Sequence, residues 1–207
     1  KEMGIDSHKV MDIFCKDTKL NISPAYLKPG FAFGGSCLPK DVRALTYRAK
    51  TLDVDIPVLG HIMQSNEKQI ERGIRSVMEK GDSKIGVLGF SFKSGTDDLR
   101  ESPTVEVIER LLGKGYDLRL YDRNVNLASL MGANRDYILN RIPHISKLMM
   151  NNPNGVLEHA ETIVVGNRDP EFKELLNGNL GKEQKVVDLV RILEKEERPE
   201  NYEGICW

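Results

Sequence analysis

Cysteine is scarce in this chain. Its three residues, Cys15, Cys37 and Cys206, cannot all pair, and their spacing forms no disulfide framework. A reducing, cytoplasmic setting follows. No Cys-x-x-Cys or His-x-x-x-His pair occurs, and His8, His61, His144 and His159 are scattered, so the ligand spacing of a metal site is missing. Charge of one sign is missing as well. Thirty Lys and Arg stand against 31 Asp and Glu, a net charge of −1, which makes no electrostatic case for nucleic acid or an anionic membrane. No stretch approaches the roughly 20 apolar residues of a membrane span. Repeats and low-complexity tracts are absent, and the Glu194–Glu200 run reads as a solvated tail segment. What remains is 207 residues, 40% hydrophobic and 29% charged, enough for one large or two small globular domains.

The periodicity changes once along the chain. Residues 1–80 read as helical: Val10, Ile13 and Phe14 are spaced for one helix face, a helix is expected over about Pro39–Leu52, and a longer one over about Val58–Lys80. Asn21–Gly35, rich in Pro and Gly, reads as a loop between them. From Lys84 onward short apolar runs alternate with helical segments. Lys84–Phe90, Tyr116–Tyr121, Glu161–Asn167 and Lys185–Val190 read as strands. Ser102-Pro103 reads as an N-cap followed by Pro at the first helical position. Strands alternating with helices predict an α/β fold, a doubly wound parallel sheet over residues 81–207 preceded by the helical segment 1–80.

The stretch that carries most chemistry is Gly34-Gly35-Ser36-Cys37-Leu38-Pro39-Lys40-Asp41. It places a thiol, an ammonium and a carboxylate within five residues. Pro39 suits the first turn of a helix, which puts Cys37 at the helix's positive end, where a thiolate is stabilised. Asp41, four residues on, shares its face. Two readings stand: a small buried thiol in a glycine turn, or a reactive thiolate beside a backbone that approaches a ligand closely.

A second loop, Phe90–Glu101, leaves the carboxyl end of the first strand, the side on which doubly wound sheets bind ligands. Lys93 and Arg100 either bind an anion there or are neutralised by Asp97, Asp98 and Glu101. Asp122 ends the second strand, as a ribose-binding acid or as strand-end turn chemistry. It lies farther from Gly89 than the roughly 20 residues of the standard dinucleotide fingerprint.

Together, Gly34–Asp41 and Gly89–Pro103 resemble the two long signatures of the UDP-glucose/GDP-mannose dehydrogenase family, in the family's order, and the resemblance runs from Lys1 to Trp207. The Phe31-Ala32-Phe33 run and the Glu203–Trp207 terminus lean toward the GDP-mannose branch, with UDP-glucose as the alternative substrate. The resemblance implies a Rossmann-like sugar-nucleotide domain over 81–207 and a central dimerisation segment over 1–80. It also implies that the chain is the C-terminal half of the enzyme. The Gly-x-Gly-x-x-Gly turn of the family's dinucleotide half has no counterpart here, and Gly86–Ser91 is only a degenerate version of it.

The activity so implied is NAD-dependent oxidation of a sugar C6 alcohol to a carboxylate, as in polysaccharide biosynthesis, making a GDP-mannuronate through a thiohemiacetal and thioester on Cys37. Asp41 then stands where water is activated or positioned, and Lys40 where it supports the oxyanion or touches the cofactor. Tyr26, Lys28, Phe31, Gly34 and Lys93 match substrate-binding positions, some of which serve the neighbouring subunit of a homodimer. Arg100 matches a cofactor contact. Ala25 stands where relatives carry a tyrosine. A stand-alone binding or assembly module without catalysis is the competing expectation.

Overall fold

The computed structural model describes residues 1–127 and 129–207. Four helices come first: α1 (Ser7–Phe14), α2 (Leu38–Thr51), the short α3 (Pro57–Gly60) and α4 (Ile62–Met78). The single long helix expected over Val58–Lys80 is therefore two. It breaks at His61, whose ring Nδ1 lies 2.7 Å from the Pro57 carbonyl, directly after Gly60, a weak helix former.

A regular strand–helix alternation follows: β1 (Lys84–Leu88), α5 (Pro103–Gly113), β2 (Asp117–Tyr121), α6 (Gly132–Arg141), α7 (Pro153–His159), β3 (Thr162–Val165), α8 (Pro170–Asn179), β4 (Lys185–Asp188) and β5 (Tyr202–Gly204). The five strands form one sheet in the order β2-β1-β3-β4-β5, every pair parallel. The expected α/β fold is the observed one. Ile85, Val87, Ile163, Val164, Val186 and Val187 are fully buried, as befits strands covered on both faces. One face packs on Ile70, Ile74 and Val77 of α4 and Val105, Ile108 and Leu111 of α5; the other packs on α7 and α8 through Val156, Leu157, Phe172 and Leu176. The chain order reverses between β1 and β3, the topological switch point where such sheets take ligands.

The apolar stripes of the helical segment divide in two. The stripe of α4 is buried on its own sheet. That of α1 is open, with Val10, Ile13 and Phe14 half exposed or more, and Leu45 and Tyr47 of α2 are open too. Among the described residues no helix is long and apolar enough to cross a membrane.

β5, a three-residue edge strand, carries too little pattern to be read from sequence and is held by side chains instead. The Tyr202 hydroxyl donates to the buried Asp188 carboxylate, which also accepts from the Val190 and Ile192 amides at 2.8 and 2.7 Å. Trp207 lies over Gly204, where a Cβ would stand 1.9 Å from the indole, with the guanidinium of Arg198 4.6 Å and that of Arg191 5.5 Å from its ring. Burial pushes the Asp188 pKa above the ordinary carboxylate range against the pull of these hydrogen bonds. The folded state then holds this proton more tightly than the unfolded chain. The stability linked to it is present below the ordinary carboxylate pKa and lost as pH rises through the raised one. Asp188→Asn should therefore flatten that part of the pH dependence, so that the wild-type-minus-variant stability difference, read from urea midpoints, falls as pH rises from acid to neutral.

Candidate functional site

The loop before α2 is built to lie against its neighbours. Asn66 of α4 grips Phe33 from both sides: the Phe33 amide donates to Oδ1 and Nδ2 donates to the Phe33 carbonyl, each at 2.9 Å. One turn on, Gln69 donates to the Gly30 carbonyl at 3.2 Å, and the Cys206 thiol reaches the same oxygen at 3.3 Å. The Phe31 ring lies on Gly73 of α4, where a Cβ would be 2.7 Å away. Phe31 is thus half-buried at the rim of the core.

The glycine pair makes the closest approach. At Gly34 a Cβ would stand 2.1 Å from the Glu101 carbonyl oxygen and 2.6 Å from Pro103 Cδ. Gly35, at φ +84°, donates its amide to the Glu101 carbonyl at 3.3 Å and lies against the Phe92 ring. Arg43 of α2 pairs with the Glu101 carboxylate. The Gly30–Cys37 loop is therefore docked on the Phe90–Ser102 loop after β1, and the glycines serve that contact.

Cys37 occupies the N-cap position of α2, with Pro39 in the first turn. Its side chain is exposed and caps nothing; Sγ lies 3.9 Å from Ser36 Oγ. Its carbonyl accepts from the Asp41 amide at 2.9 Å. Lys40 and Asp41 form a 3.4 Å ion pair, each about two-thirds exposed, an arrangement that contributes little to stability and leaves both groups free to meet a ligand. Arg100 directly precedes Glu101, whose carbonyl accepts from the Gly35 amide. The Arg100 Nε and Nη2 donate to the two oxygens of Asp98 at 2.9 and 2.8 Å. That hydrogen bond is the main reason the Asp98 pKa lies below, and the Arg100 pKa above, the ordinary value. Lys93, on the same loop, is exposed, and its ammonium has no carboxylate partner among the described residues.

The structure thus brings together Gly34, Cys37, Lys40, Asp41, Arg100 and the loop bearing Lys93. It does not bring Tyr26 and Lys28 to them. Tyr26 ends a 3₁₀ turn, Pro24–Tyr26, and is almost fully exposed. Lys28 stands at a separate cavity of about 150 Å³ that it lines with His8 and Asp12 of α1 and with Arg168 and Arg191 from the turns after β3 and β4. Burial, followed by the charge of Arg191, holds the His8 pKa below its ordinary value.

Sequence reasoning missed Asn66 and Gln69, which hold the cysteine loop in place. Their three-residue spacing on one face of α4 was the available signal. Ser102 stands at the N-cap of α5 as expected, but its hydroxyl does not cap. It donates to the Phe90 carbonyl at 2.7 Å, closing the neck of the loop. Asp122 is strand-end chemistry: its carboxylate is buried and accepts from the Phe90 and Ser91 amides at 2.9 and 3.0 Å. Those are the amides a pyrophosphate would need at this strand end, so the crevice between β1 and β3 does not fit a dinucleotide.

The chain is similar to known proteins along its whole length. Residues 1–68 match the central domain of the UDP-glucose/GDP-mannose dehydrogenase family, and residues 86–195 match its UDP binding domain. The whole chain is 52% identical to a GDP-mannose 6-dehydrogenase of Pseudomonas putida, of which it covers 47%. A UDP-glucose 6-dehydrogenase of Rickettsia prowazekii is 31% identical over 83% of the chain and 39% of that protein. The crystal structure of a ternary complex of GDP-mannose dehydrogenase from Pseudomonas aeruginosa superposes with a TM-score of 0.82 at 50% identity, over 99% of this chain and 47% of that one. A UDP-glucose dehydrogenase from Pyrobaculum islandicum gives 0.81 at 25%, over all of this chain and 45% of that one. The chain spans about half the length of the relatives it matches.

Proposed function

Since the chain belongs to the UDP-glucose/GDP-mannose dehydrogenase family, we propose that it forms the C-terminal half of a cytoplasmic nucleotide-sugar 6-dehydrogenase that oxidises the C6 alcohol of GDP-mannose to the carboxylate of GDP-mannuronate. The observation that carries this reading is an exposed thiol at a helix N-terminus, docked through Gly34 and Gly35 onto the loop that bears Lys93 and Arg100.

The chemistry calls for such a thiol. Oxidation of the alcohol gives an aldehyde, and a trigonal aldehyde does not readily surrender hydride. Cys37 thiolate adds to its carbon to form a tetrahedral thiohemiacetal. Loss of hydride from that carbon gives a thioester, and water cleaves the C–S bond to return the thiol and the carboxylate. When bound, NAD⁺ would supply the acceptor for both hydrides. Lys40 supports the negative oxygen or meets the cofactor's edge, Asp41 positions or deprotonates the water, and the unpaired Lys93 meets the sugar nucleotide's phosphates. Arg100, with one edge held by Asp98, presents a fixed cation toward the cofactor.

Tyr26 and Lys28, remote from Cys37 in this chain, serve the site of a second subunit, together with Phe31 at the base of the same loop. The open apolar faces of α1 and α2 suit the same homodimer, because contiguous exposed apolar surface marks an interface. GDP-mannose is preferred to UDP-glucose because six GDP-mannose relatives are 45–52% identical over the whole chain, against 31% for the UDP-glucose enzymes.

Two assays test the reading together. The 207-residue chain alone should make no NADH from GDP-mannose, and addition of a family dinucleotide half should restore it. The full-length protein should bind GDP more tightly than UDP by calorimetry. Steady NADH from the chain alone would contradict the half-enzyme reading. Binding of GDP-mannose without turnover in the complete protein would establish the assembly-module alternative instead.

A further inference from the structure

At the carboxyl end of β1 the backbone turns through Gly89, at φ +78°, and the next two amides converge on one oxygen. Consecutive amides at such a turn form a nest that nucleotide folds fill with phosphate. Here Asp122 fills it. Its Oδ2 accepts from the Phe90 amide (2.9 Å), the Ser91 amide (3.0 Å), the Ser91 hydroxyl (2.8 Å) and Asn167 Nδ2 (3.1 Å). Its Oδ1 accepts from the Asn124 amide at 3.0 Å. Asp122, Asn167 and Ser91 are all at least nine-tenths buried. The backbone leaves no slack around them: a Cβ on Gly89 would stand 2.4 Å from the Asn167 side chain, and one on Gly166 would stand 2.2 Å from the Gly89 carbonyl oxygen.

This carboxylate is the inner anchor of the Phe90–Ser102 loop. Ser102 closes the loop's neck. Its outer part is held by Asn134 of α6, whose Oδ1 accepts from the Leu99 amide at 2.9 Å and whose Nδ2 donates to the Asp97 carbonyl at 2.8 Å. Lys93, two residues beyond Ser91, is tied to the same cluster, its carbonyl accepting from the Ser91 hydroxyl at 3.2 Å. The Glu101 carbonyl and Phe92 ring that receive Gly34 and Gly35 belong to the same loop.

We propose that Asp122 is a positioning residue for the sugar-nucleotide site: an internal carboxylate seated in the phosphate nest of β1, which sets the loop carrying Lys93 and Arg100 against the Cys37 loop. The nucleotide's phosphates are then bound by side-chain cations, because the strand-end amides are already taken. The positional part stands on this chain's geometry. Its effect on substrate rests on the dehydrogenase reading above.

The test uses Asp122→Ala in the full-length protein, with formate as a diffusible carboxylate. Two quantities are read: the Kd for GDP-mannose and the hydrogen exchange of the amides of residues 90–102. The Kd should rise by about tenfold or more, the order expected when buried donors lose a charged partner. The loop amides should exchange faster. Formate should restore both, and an equal concentration of chloride should not. A merely structural role would lower the melting temperature without formate-specific recovery of affinity. Affinity and exchange equal to wild type, or losses that formate leaves untouched, would overturn the proposal. Should Asp122→Ala fail to fold, Ser91→Ala, which keeps the carboxylate and removes the hydroxyl that joins Asp122, Asn167 and the Lys93 carbonyl, decides the matter. It should raise the Kd about threefold, and an unchanged Kd with unchanged exchange would refute the anchor. If the wild-type protein binds no GDP-mannose, the dehydrogenase reading fails, and the exchange measurement alone judges Asp122.

Discussion

In the full-length protein, Cys37→Ser should lower uronate formation by about a thousandfold or more, the usual scale for removing a covalent nucleophile. A serine hydroxyl stays protonated at neutral pH and adds poorly to an aldehyde, so the second oxidation stalls while the first does not depend on the sulfur. Aldehyde or its hydrate should therefore accumulate after one hydride per sugar. The substitution should cost almost no stability, since the Cys37 side chain is exposed and makes no capping bond. A melting temperature within about two degrees of wild type, on the scale of ordinary surface changes, would separate chemistry from folding. A normal rate of carboxylate production would remove the nucleophile from the account.

The second large effect concerns Gly34. Adding a Cβ there places carbon 2.1 Å from the Glu101 carbonyl oxygen and 2.6 Å from Pro103. The first obstacle is backbone at the mouth of α5 and cannot rotate away, so the cysteine loop must lift off its support. Gly34→Val should cost about 2–3 kcal/mol, the upper part of the overpacking range. It should also depress activity by more than the unfolded fraction explains, because the thiol moves relative to Lys93 and Arg100. Gly30→Ala is the control: nothing lies within 4 Å of a Cβ there, and an effect within about 0.5 kcal/mol is expected. Thermal melts with parallel rate measurements decide the case. Equal, small effects at the two glycines would show that the loop is not docked as described.

Local chemistry was legible in the residues, and contacts across the fold were not. The alternation of apolar strands with capped helices announces the parallel sheet, because fully buried strands read as unbroken runs of Val, Ile and Leu. Pro39 after Cys37 announces the start of α2 for the same kind of reason. The glycine pair was legible as a close approach, but not as an approach to Glu101, a residue 67 positions past Gly34 in the chain. Asn66 and Gln69 look like the polar face of a surface helix until the loop they hold is seen. Ser102 looks like a cap because it occupies the cap position, yet a nearer acceptor, the Phe90 carbonyl, takes its proton. Asp122 shows both sides: a carboxylate ending a strand suits a ribose or a turn equally, and only its five donors decide. β5 is written in the partners of Tyr202 and Trp207 rather than in its own three residues.

The central claim is that the sugar's oxidised C6 carbon is bonded to Cys37 during turnover. Acid quenching of the full-length protein in the presence of GDP-mannose and NAD⁺, followed by mass spectrometry of the peptide spanning Gly30–Arg43, tests it directly. The account predicts a sugar-nucleotide adduct on the Cys37 sulfur, absent without NAD⁺ and absent in Cys37→Ser. Full turnover with an unmodified Cys37 throughout, or the adduct on another residue, would contradict it.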